Sequence, residues 1–263
     1  MAYSRIAVVG AGIMGEAVIT SLLRAGIDSK SISIIEKREQ RRDEIVGRFG
    51  VQTEGISSCD AVFLLVKPQD LEMTLEQVKG ELKRDALVVS FIAGKKLSFI
   101  EGFLGPGFRT IRVMPNTPMT LGKGFAVMSP GNLATNEDIA WLEKMLASSC
   151  EVITVPEEMQ DAATALSGSG PAYFFAMVEA MADAGTKLGM SEEDSMKAAK
   201  QVLIGAAAMV EKSGLEPGTL RENVTSPNGT TFAALKTFVE KDFSEVVYLA
   251  MKAARDRSIE LGK

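Results

Sequence analysis

The chain has 263 residues, 46% hydrophobic and 24% charged, which is the composition of a folded globular protein with one large or two ordinary domains. Its 34 acidic and 29 basic side chains give a formal net charge of −5, and it contains no histidine. The missing imidazole excludes a Ser-His-Asp triad, an HExxH zinc site and histidine acid–base catalysis. The mild acidity, without a run of Lys or Arg, argues against nucleic acid as a partner.

Membrane and redox signals are weak in this sequence. No stretch approaches the roughly 18 consecutive apolar residues of a membrane span, and no targeting segment is predicted. The two cysteines, Cys59 and Cys150, stand in apolar or small-residue contexts, which favours reduced core thiols over a disulfide framework. We therefore expect a cytoplasmic protein without a membrane partner, and no metal site is predicted.

The first part of the chain alternates short β-rich runs with helical patterns. The runs are continuous apolar blocks, which is typical of strands covered on both faces, and hence of a parallel sheet with helices on each side. The predicted strands are Ile6–Val9, Ile32–Ile35, Ala61–Val66, Leu87–Val89, Thr110–Met114 and Val152–Val155.

The second part of the chain is predicted to be all-helical. From about Glu157 the apolar residues fall at helical spacing, as in Tyr173, Met177 and Met181. We place the boundary near Pro156, which divides the chain into domains 1–156 and 157–263. A segment that is apolar on more than one face, Ala198–Val210, argues for burial against a partner chain.

A glycine-rich turn follows the first predicted strand. Gly10-Ala11-Gly12-Ile13-Met14-Gly15 fits the pattern GxGxxG and opens a helical segment. The first glycine allows a tight turn, the second lets the backbone approach a pyrophosphate, and the third lets helix and strand pack closely. A purely structural turn is the alternative, but the strand–turn–helix context favours a dinucleotide site in a Rossmann-type domain.

The residues after the second predicted strand carry conflicting signals about the cofactor. Glu36 stands 21 residues after Gly15, near the spacing at which an acid accepts hydrogen bonds from the adenosine ribose and favours NADH. The basic residues that follow are Lys37, Arg38, Arg41 and Arg42. Their guanidinium and ammonium groups are suited to the 2′-phosphate of NADPH. A solvated helix start is the alternative for Arg41 and Arg42, and Glu36 turning away, with Arg38 stacked on adenine, is a further one.

Three more turns follow predicted strands. They are Val66-Lys67-Pro68-Gln69, Ile92-Ala93-Gly94 and Met114-Pro115-Asn116-Thr117-Pro118. Open α/β sheets bind ligands at the carboxyl ends of their strands, so we expect these turns to form the walls of a nicotinamide pocket. Each one alone would also suit an ordinary strand-ending turn.

Two polar segments in the helical part are not explained by packing. They are Ser167–Pro171 and Thr225–Thr231, and the second leads into a helix predicted over Phe232–Val239. A helix start with free N–H groups and four hydroxyls within seven residues is suited to a carboxylate. Simple N-capping is the alternative, but a cap needs only one hydroxyl, so a ligand site is favoured.

Together these motifs resemble those of pyrroline-5-carboxylate reductases. The match comprises the glycine turn, Val66–Gln69, Arg112–Pro118, Ala165–Tyr173 (ALSGSGPAY) and Val224–Thr231 (VTSPNGTT), in order through nearly the whole chain. The resemblance implies an α/β protein: an N-terminal Rossmann-type, doubly wound, mostly parallel sheet, followed by an all-helical C-terminal dimerisation domain. It implies a homodimer or larger homo-oligomer whose subunits share the substrate site. The implied reaction reduces 1-pyrroline-5-carboxylate to L-proline by hydride transfer from NADPH, with NADH as the alternative.

The resemblance also implies roles for individual residues. Those implied to contact the cofactor are Gly10, Gly12, Ile13, Met14, Gly15, Glu36, Lys37, Arg38, Val66, Lys67, Pro68, Ala93, Met114, Pro115, Asn116 and Asn223. The substrate carboxylate would lie on the amides of Gly229, Thr230 and Thr231 with Ser226 nearby, and the Thr231 hydroxyl would be the catalytic group beside the imine nitrogen. One departure is Asn228, which replaces the first glycine of the family's SPGGTT turn; Asn tolerates the left-handed region better than most residues.

Two other functions compete with a reductase of this kind. A β-hydroxyacid dehydrogenase has the same two-domain plan, but its catalytic lysine would fall at Phe174, leaving alcohol oxidation without a base. A regulatory protein that senses NAD(P)H without turnover would explain the glycine turn. It gives no reason for the polar segment Thr225–Thr231.

Overall fold

A computed structural model describes residues 3–262 of the chain. Two compact units are present: the chain up to Ser169 together with the segment that begins at Ala254, and Gly170–Ala253. Residues 157–169, which follow the predicted boundary near Pro156, pack with the first unit. The division of the chain into domains at 156/157 stays a prediction.

The first unit is built on one seven-stranded sheet with the strand order β2-β1-β3-β4-β5-β6-β7. Strands β1 to β5 are parallel, β6 pairs antiparallel with β5, and β7 runs parallel to β6. The predicted mostly parallel, Rossmann-type sheet is confirmed. The strands are β1 Ile6–Val9, β2 Ile32–Ile35, β3 Ala61–Leu64, β4 Leu87–Ser90, β5 Arg109–Pro115, β6 Gly124–Pro130 and β7 Cys150–Thr154.

Helices cover both faces of this sheet. They are α1 Ile13–Arg24, α2 Glu39–Phe49, α3 Leu71–Lys79, α4 Leu97–Leu104, α5 Asn136–Leu146 and α6 Gln160–Ala163. Alternate strand residues enter two separate cores: Ile6 and Val8 pack with residues of α1 and α5, whereas Ala7 and Val9 pack with residues of α3 and α4. This two-sided burial is the reason that the strands are continuously apolar in sequence.

Strand β6 was not among the predicted strands. Its apolar run Phe125–Met128 is a signal that sequence reasoning had available. The strand returns beside β5 through the turn at Thr117–Leu121, so the sheet ends in a pair of strands that oppose the other five.

The second unit is helical, as predicted. Its helices are α7 Gly170–Lys187, α8 Glu192–Lys212, α9 Pro217–Asn223, α10 Thr230–Glu240 and α11 Phe243–Leu261, and the last eight residues of α11 belong to the first unit. Helix α10 contains the predicted segment 232–239 and begins two residues earlier. Between residues 3 and 262, no helix has both the length and the apolar character that a membrane span needs.

Candidate active site

The glycine turn connects β1 to α1 where the strand order reverses, since β2 and β3 lie on opposite sides of β1. The N–H of Gly10 donates to the carbonyl of Ile35 at 2.9 Å, and its φ of +98° lies in the region that favours glycine. A Cβ at Gly15 would overlap the Gly10 carbonyl oxygen, whereas a Cβ at Gly12 would meet nothing within 4 Å. The turn therefore has no room for a side chain at Gly15, whereas the space beside Gly12 is open.

The start of α1 fits a pyrophosphate. Gly12 is its N-cap residue, and among residues 3–262 no side-chain cap is found for the first-turn N–H groups. Such a helix N-terminus favours a negatively charged group. Ile13 is largely exposed beside it, and the partly buried Met14 packs on the core.

The other predicted cofactor segments of the first unit lie at the same edge of the sheet. The strand register pairs Val9 with both Ile35 and Leu64, and Leu64 with Ser90, so β1 to β4 end level, while β5 continues three residues further. The segments that follow these ends are Glu36–Arg38, Val66–Pro68, Ala93 and Asn116. The structure thus brings together the turns predicted to surround a dinucleotide. Asn223 belongs to the second unit, where it ends α9 and is exposed.

The turn at Ala93 has a neighbour that the sequence did not indicate. Gly94 has a φ of +75°, and a Cβ there would lie 3.1 Å from the Leu261 Cβ. The end of α11, separated from this turn by most of the chain, therefore packs against one of the predicted nicotinamide walls.

Glu36 is held by the protein itself. Its carboxylate accepts hydrogen bonds from the Ala11 N–H at 3.1 Å and from the backbone and guanidinium of Arg38. Burial acts to raise the pKa of Glu36, but these donors outweigh it and hold the pKa below its usual range. Glu36 is therefore ionised at neutral pH and paired with Arg38.

The remaining basic residues of this segment differ in how they are engaged. Arg41 donates to the Ala11 carbonyl at 2.8 Å and forms ion pairs with Glu16 and Glu44, so its guanidinium is committed to the glycine turn and its surroundings. Lys37 is exposed, with its Nζ 3.7 Å from Met73 Sδ. Arg42 lies near acidic neighbours on its own helix. Arg41 is thus neither a solvated residue nor a free phosphate ligand.

One face of β5 supports the predicted nicotinamide wall. Arg112, Met114 and Asn116 alternate along the chain and so share a face. Asn116 accepts from the Phe125 N–H at 2.8 Å and donates to the Ser167 carbonyl at 3.0 Å. Its amide side chain is therefore engaged in hydrogen bonds within the protein. These bonds join the start of the β5–β6 connection to the π-helical turn Thr164–Gly168.

Arg112 is a buried residue to which sequence reasoning assigned no role. Its Nη1 lies 3.3 Å from Glu157 Oε1, which also accepts from the Leu97 N–H at 2.7 Å. Within residues 3–262, its Nε and Nη2 have no hydrogen-bond partner. The available signal was a charged residue inside the apolar strand Thr110–Met114. Arg112 and Glu157 connect β5, the start of α4 and the residues before α6.

The polar segment of the second unit forms a tight turn between α9 and α10. The Gly229 N–H donates to the Ser226 carbonyl at 3.0 Å and so closes the turn in this conformation, and its contact with the substrate carboxylate stays a prediction. A Cβ at Gly229 would overlap Ser226 Oγ. The contribution of Gly229 is therefore its lack of a side chain.

In the part of the chain that the structure describes, no side-chain cap is found for α10. Its N-cap residue is Gly229, which supplies no side-chain hydrogen bond, and the Thr225 hydroxyl donates to the Arg221 carbonyl at 2.6 Å. The capping alternative for this cluster of hydroxyls is therefore wrong for α10. Ser226 and Thr230 are exposed and Thr231 is partly buried. The backbone of Thr230 and Thr231 begins an uncapped helix, which is suited to a carboxylate.

Asn228 has a φ of 58°, in the left-handed region. We expect Asn228→Gly to change the free energy of unfolding by less than about 0.5 kcal/mol, and Asn228→Val to lower it by about 1–2 kcal/mol, because a branched side chain is strained there. Urea unfolding followed by circular dichroism measures both. Asn136→Val, at the exposed first residue of α5, is the control; equal losses for the two valine variants would contradict the expectation.

Comparison with known proteins identifies the family. A family model described as pyrroline-5-carboxylate reductase dimerisation matches residues 157–261, and one described as NADP oxidoreductase, coenzyme F420-dependent, matches residues 5–94. A pyrroline-5-carboxylate reductase of Corynebacterium melassecola is 36% identical over 266 residues, covering 98% of each protein. The chain belongs to the pyrroline-5-carboxylate reductase family.

Solved structures of pyrroline-5-carboxylate reductases have the same fold. The enzyme from Coxiella burnetii has a TM-score of 0.93 at 31% identity and covers all of both chains. The pyrroline carboxylate reductase of Plasmodium falciparum, solved with NADP bound, has a TM-score of 0.83 at 27% identity over 98% of both chains. The predicted family is confirmed, and the alternative prediction of a β-hydroxyacid dehydrogenase is not. Phe174, at the position of that family's lysine, is an exposed residue of α7.

Proposed function

We propose that this protein reduces 1-pyrroline-5-carboxylate to L-proline with NADPH, the last step of proline biosynthesis. The observation that carries the proposal is the uncapped turn Ser226–Thr231, in a chain that matches reductases of this name over its whole length. The NADP-bound relative and the NADP oxidoreductase model support NADPH as the cofactor, with NADH as the alternative.

The residues present fit a dinucleotide. The open side of the turn at Gly12 and the uncapped start of α1 accommodate a pyrophosphate. When bound, NADPH supplies the hydride for the reaction. The chain itself orients the cofactor: we assign Val66–Pro68, Ala93 and Met114–Pro115 to the walls beside the nicotinamide, with Asn116 holding its wall in place from within.

The second unit supplies groups for the substrate. In this proposal the amides of Thr230 and Thr231 hold the substrate carboxylate, and Ser226 lies beside it. The Thr231 hydroxyl donates a hydrogen bond to the imine nitrogen, directly or through water. The carbon of the C=N bond receives the hydride and the nitrogen keeps or gains a proton. A cyclic imine is basic enough to be partly protonated in solution, so a protein without histidine needs no strong acid here.

The role of Thr231 is tested by removing its hydroxyl. We expect Thr231→Ala and Thr231→Val each to lower kcat by about tenfold, because one hydrogen bond contributes up to about 1.5 kcal/mol and 1.4 kcal/mol corresponds to a factor of ten. Thr237→Ala is the control on the same helix, since the Thr237 hydroxyl donates only to the Ala233 carbonyl of α10. Near-normal kcat in both Thr231 variants would rule out the role.

The activity is tested by following the absorbance of the reduced nicotinamide while the protein is mixed with 1-pyrroline-5-carboxylate and either NADPH or NADH. We expect oxidation of NADPH and formation of proline in equal amounts. No oxidation with either cofactor would overturn the proposal. Binding of NADPH without turnover would instead support a regulatory protein.

The second unit also supports a homodimer or larger homo-oligomer. Large apolar side chains are exposed on α7, α8 and α10, including Phe174, Phe175, Val202, Ile204 and Phe232. Large exposed apolar side chains on several helices are typical of a surface that a partner covers, and the dimerisation model of the family covers this region. We place the enzyme in the cytoplasm, in agreement with its two unpaired, buried cysteines.

A further inference from the structure

Side chains that follow β2 hydrogen-bond both backbone polar groups of one residue in the glycine turn, Ala11. The Ala11 N–H donates to Glu36 Oε2 at 3.1 Å, and the Ala11 carbonyl accepts from Arg41 Nε at 2.8 Å. Ala11 lies between the first two glycines of the turn. The segment predicted to distinguish NADPH from NADH is thus joined directly to the turn predicted to bind the pyrophosphate.

The Glu36 carboxylate has no acceptor capacity left for a ribose. Oε1 accepts from the Arg38 backbone N–H and from Arg38 Nε, both at 3.0 Å. Oε2 accepts from the Ala11 N–H and from Arg38 Nη2, both at 3.1 Å. A carboxylate offers about four lone-pair sites, and here all four are used. The side chain is only 8% exposed, so a ribose hydroxyl would have to displace one of these donors.

Arg38 is the group that this arrangement presents to solvent. Its side chain is 66% exposed, although its Nε and Nη2 are fixed by the two-point contact with Glu36. Within residues 3–262, no hydrogen bond is found for its Nη1. Arg41, by contrast, uses Nε, Nη1 and Nη2 for protein partners. A planar guanidinium with free N–H groups is suited to a phosphate, and fixing it in advance lowers the entropy lost on binding.

We propose that Glu36 is a positioning residue for cofactor selection: it holds the Arg38 guanidinium in place for the 2′-phosphate of NADPH and is not itself a ligand of the adenosine ribose. This inference rests on the proposed use of NADPH. It resolves the conflict between the acid and the basic residues after β2, because the Glu36 carboxylate is already hydrogen-bonded to Arg38.

Calorimetric titration with NADP⁺ and NAD⁺ tests the proposal without any turnover. The variants are Glu36→Gln, Arg38→Gln and the double variant, with Arg5→Gln as the control. Arg5 is also exposed and paired with a glutamate, but it precedes the opposite end of β1. Gln at position 36 keeps an oxygen that can accept from the Ala11 N–H, and thermal melting of each variant checks folding.

We expect Glu36→Gln and Arg38→Gln each to raise the Kd of NADP⁺ about tenfold, a loss of about 1.4 kcal/mol, and to change the Kd of NAD⁺ less than about twofold. The double variant should bind NADP⁺ no more weakly than Arg38→Gln alone, because Glu36 acts through Arg38. The compound 2′,5′-ADP should show the same pattern as NADP⁺, and 5′-AMP the pattern of NAD⁺.

Three results would overturn the proposal. A larger effect of Glu36→Gln on NAD⁺ would show a ribose acceptor, tighter NADP⁺ binding would show repulsion of the phosphate, and unchanged binding of both would show no role. Failure of the proposed reductase function would be seen in a different measurement: the wild-type protein would form no proline with either NADPH or NADH.

Discussion

Gly15→Ala is expected to weaken NADPH binding by at least about 100-fold and to lower the free energy of unfolding by about 1–3 kcal/mol. The added Cβ would overlap the Gly10 carbonyl oxygen at the point where α1 packs on the glycine turn. Overpacking a close backbone contact costs 1–3 kcal/mol. The helix start must move away from the turn, and losing two charge-assisted N–H contacts with the pyrophosphate, at about 1.5 kcal/mol each, accounts for the change in affinity.

Gly47→Ala is the matched control for this variant. Gly47 lies inside α2, and a Cβ there would meet nothing within 4 Å. Alanine is favoured over glycine in a helix by up to about 1 kcal/mol, so we expect slightly higher stability and unchanged NADPH binding. Fluorescence titration with NADPH and urea unfolding measure both properties. If Gly15→Ala bound NADPH as tightly as Gly47→Ala, the third glycine would not be needed for close packing.

Asp138→Ala is expected to lower the free energy of unfolding by about 3–5 kcal/mol. The Asp138 carboxylate is 1% exposed, pairs with Arg109 Nη1 at 2.6 Å and accepts from the Tyr3 hydroxyl. Its Oδ2 also accepts from the Thr135 N–H at 2.8 Å, within the capping box of α5. Removing one member of a buried pair costs this much because the remaining cation stays partly buried without its partner.

The control for this variant is Asp194→Ala. Asp194 occupies the same third position of a helix, α8, beside the capping Ser191, but it is exposed. We expect its loss to cost less than about 1 kcal/mol. Similar losses for Asp138→Ala and Asp194→Ala in urea unfolding would show that the cap, and not the buried pair, matters at Asp138.

Asp138→Ala is also expected to change the titration of Tyr3. Burial, and then the hydrogen bond to Asp138, raise the pKa of Tyr3 well above its usual value. The stabilisation that depends on the protonated phenol is therefore fully present below about pH 10 and is lost as the pH rises through the folded-state pKa. In Asp138→Ala, the tyrosinate absorbance of Tyr3 should appear at lower pH than in the wild-type protein.

Several features of this protein were predictable from local sequence alone. The strands β1 to β5 are continuous apolar blocks because both of their faces are buried, and the glycine turn follows from the need for a tight, side-chain-free connection at β1. The helical second part follows from apolar spacing. Strands that are buried on both faces appear in the sequence as continuous apolar runs, and helices with one buried face appear as apolar residues at helical spacing. These elements are therefore predictable from local sequence.

Hydrogen bonds of individual polar groups leave no such pattern in the sequence. The spacing of Glu36 from Gly15 is the same whether its carboxylate accepts from a ribose or from Arg38 and Ala11. Nothing near Asn116 in sequence indicates that its amide side chain accepts from the Phe125 N–H and donates to the Ser167 carbonyl. These outcomes depend on which donors and acceptors meet in space.

The sequence by itself determined the five parallel strands β1 to β5, the helical second part, the glycine turn and the family, because these depend on periodicity and on short runs of adjacent residues. Only the tertiary structure decided which polar groups remain free to bind ligands. It left the amides of Thr230 and Thr231 uncapped, engaged the Gly229 amide and the Arg41 guanidinium, and paired Glu36 with Arg38. Most buried polar groups are hydrogen-bonded, and the fold determines which donors and acceptors come close enough to pair.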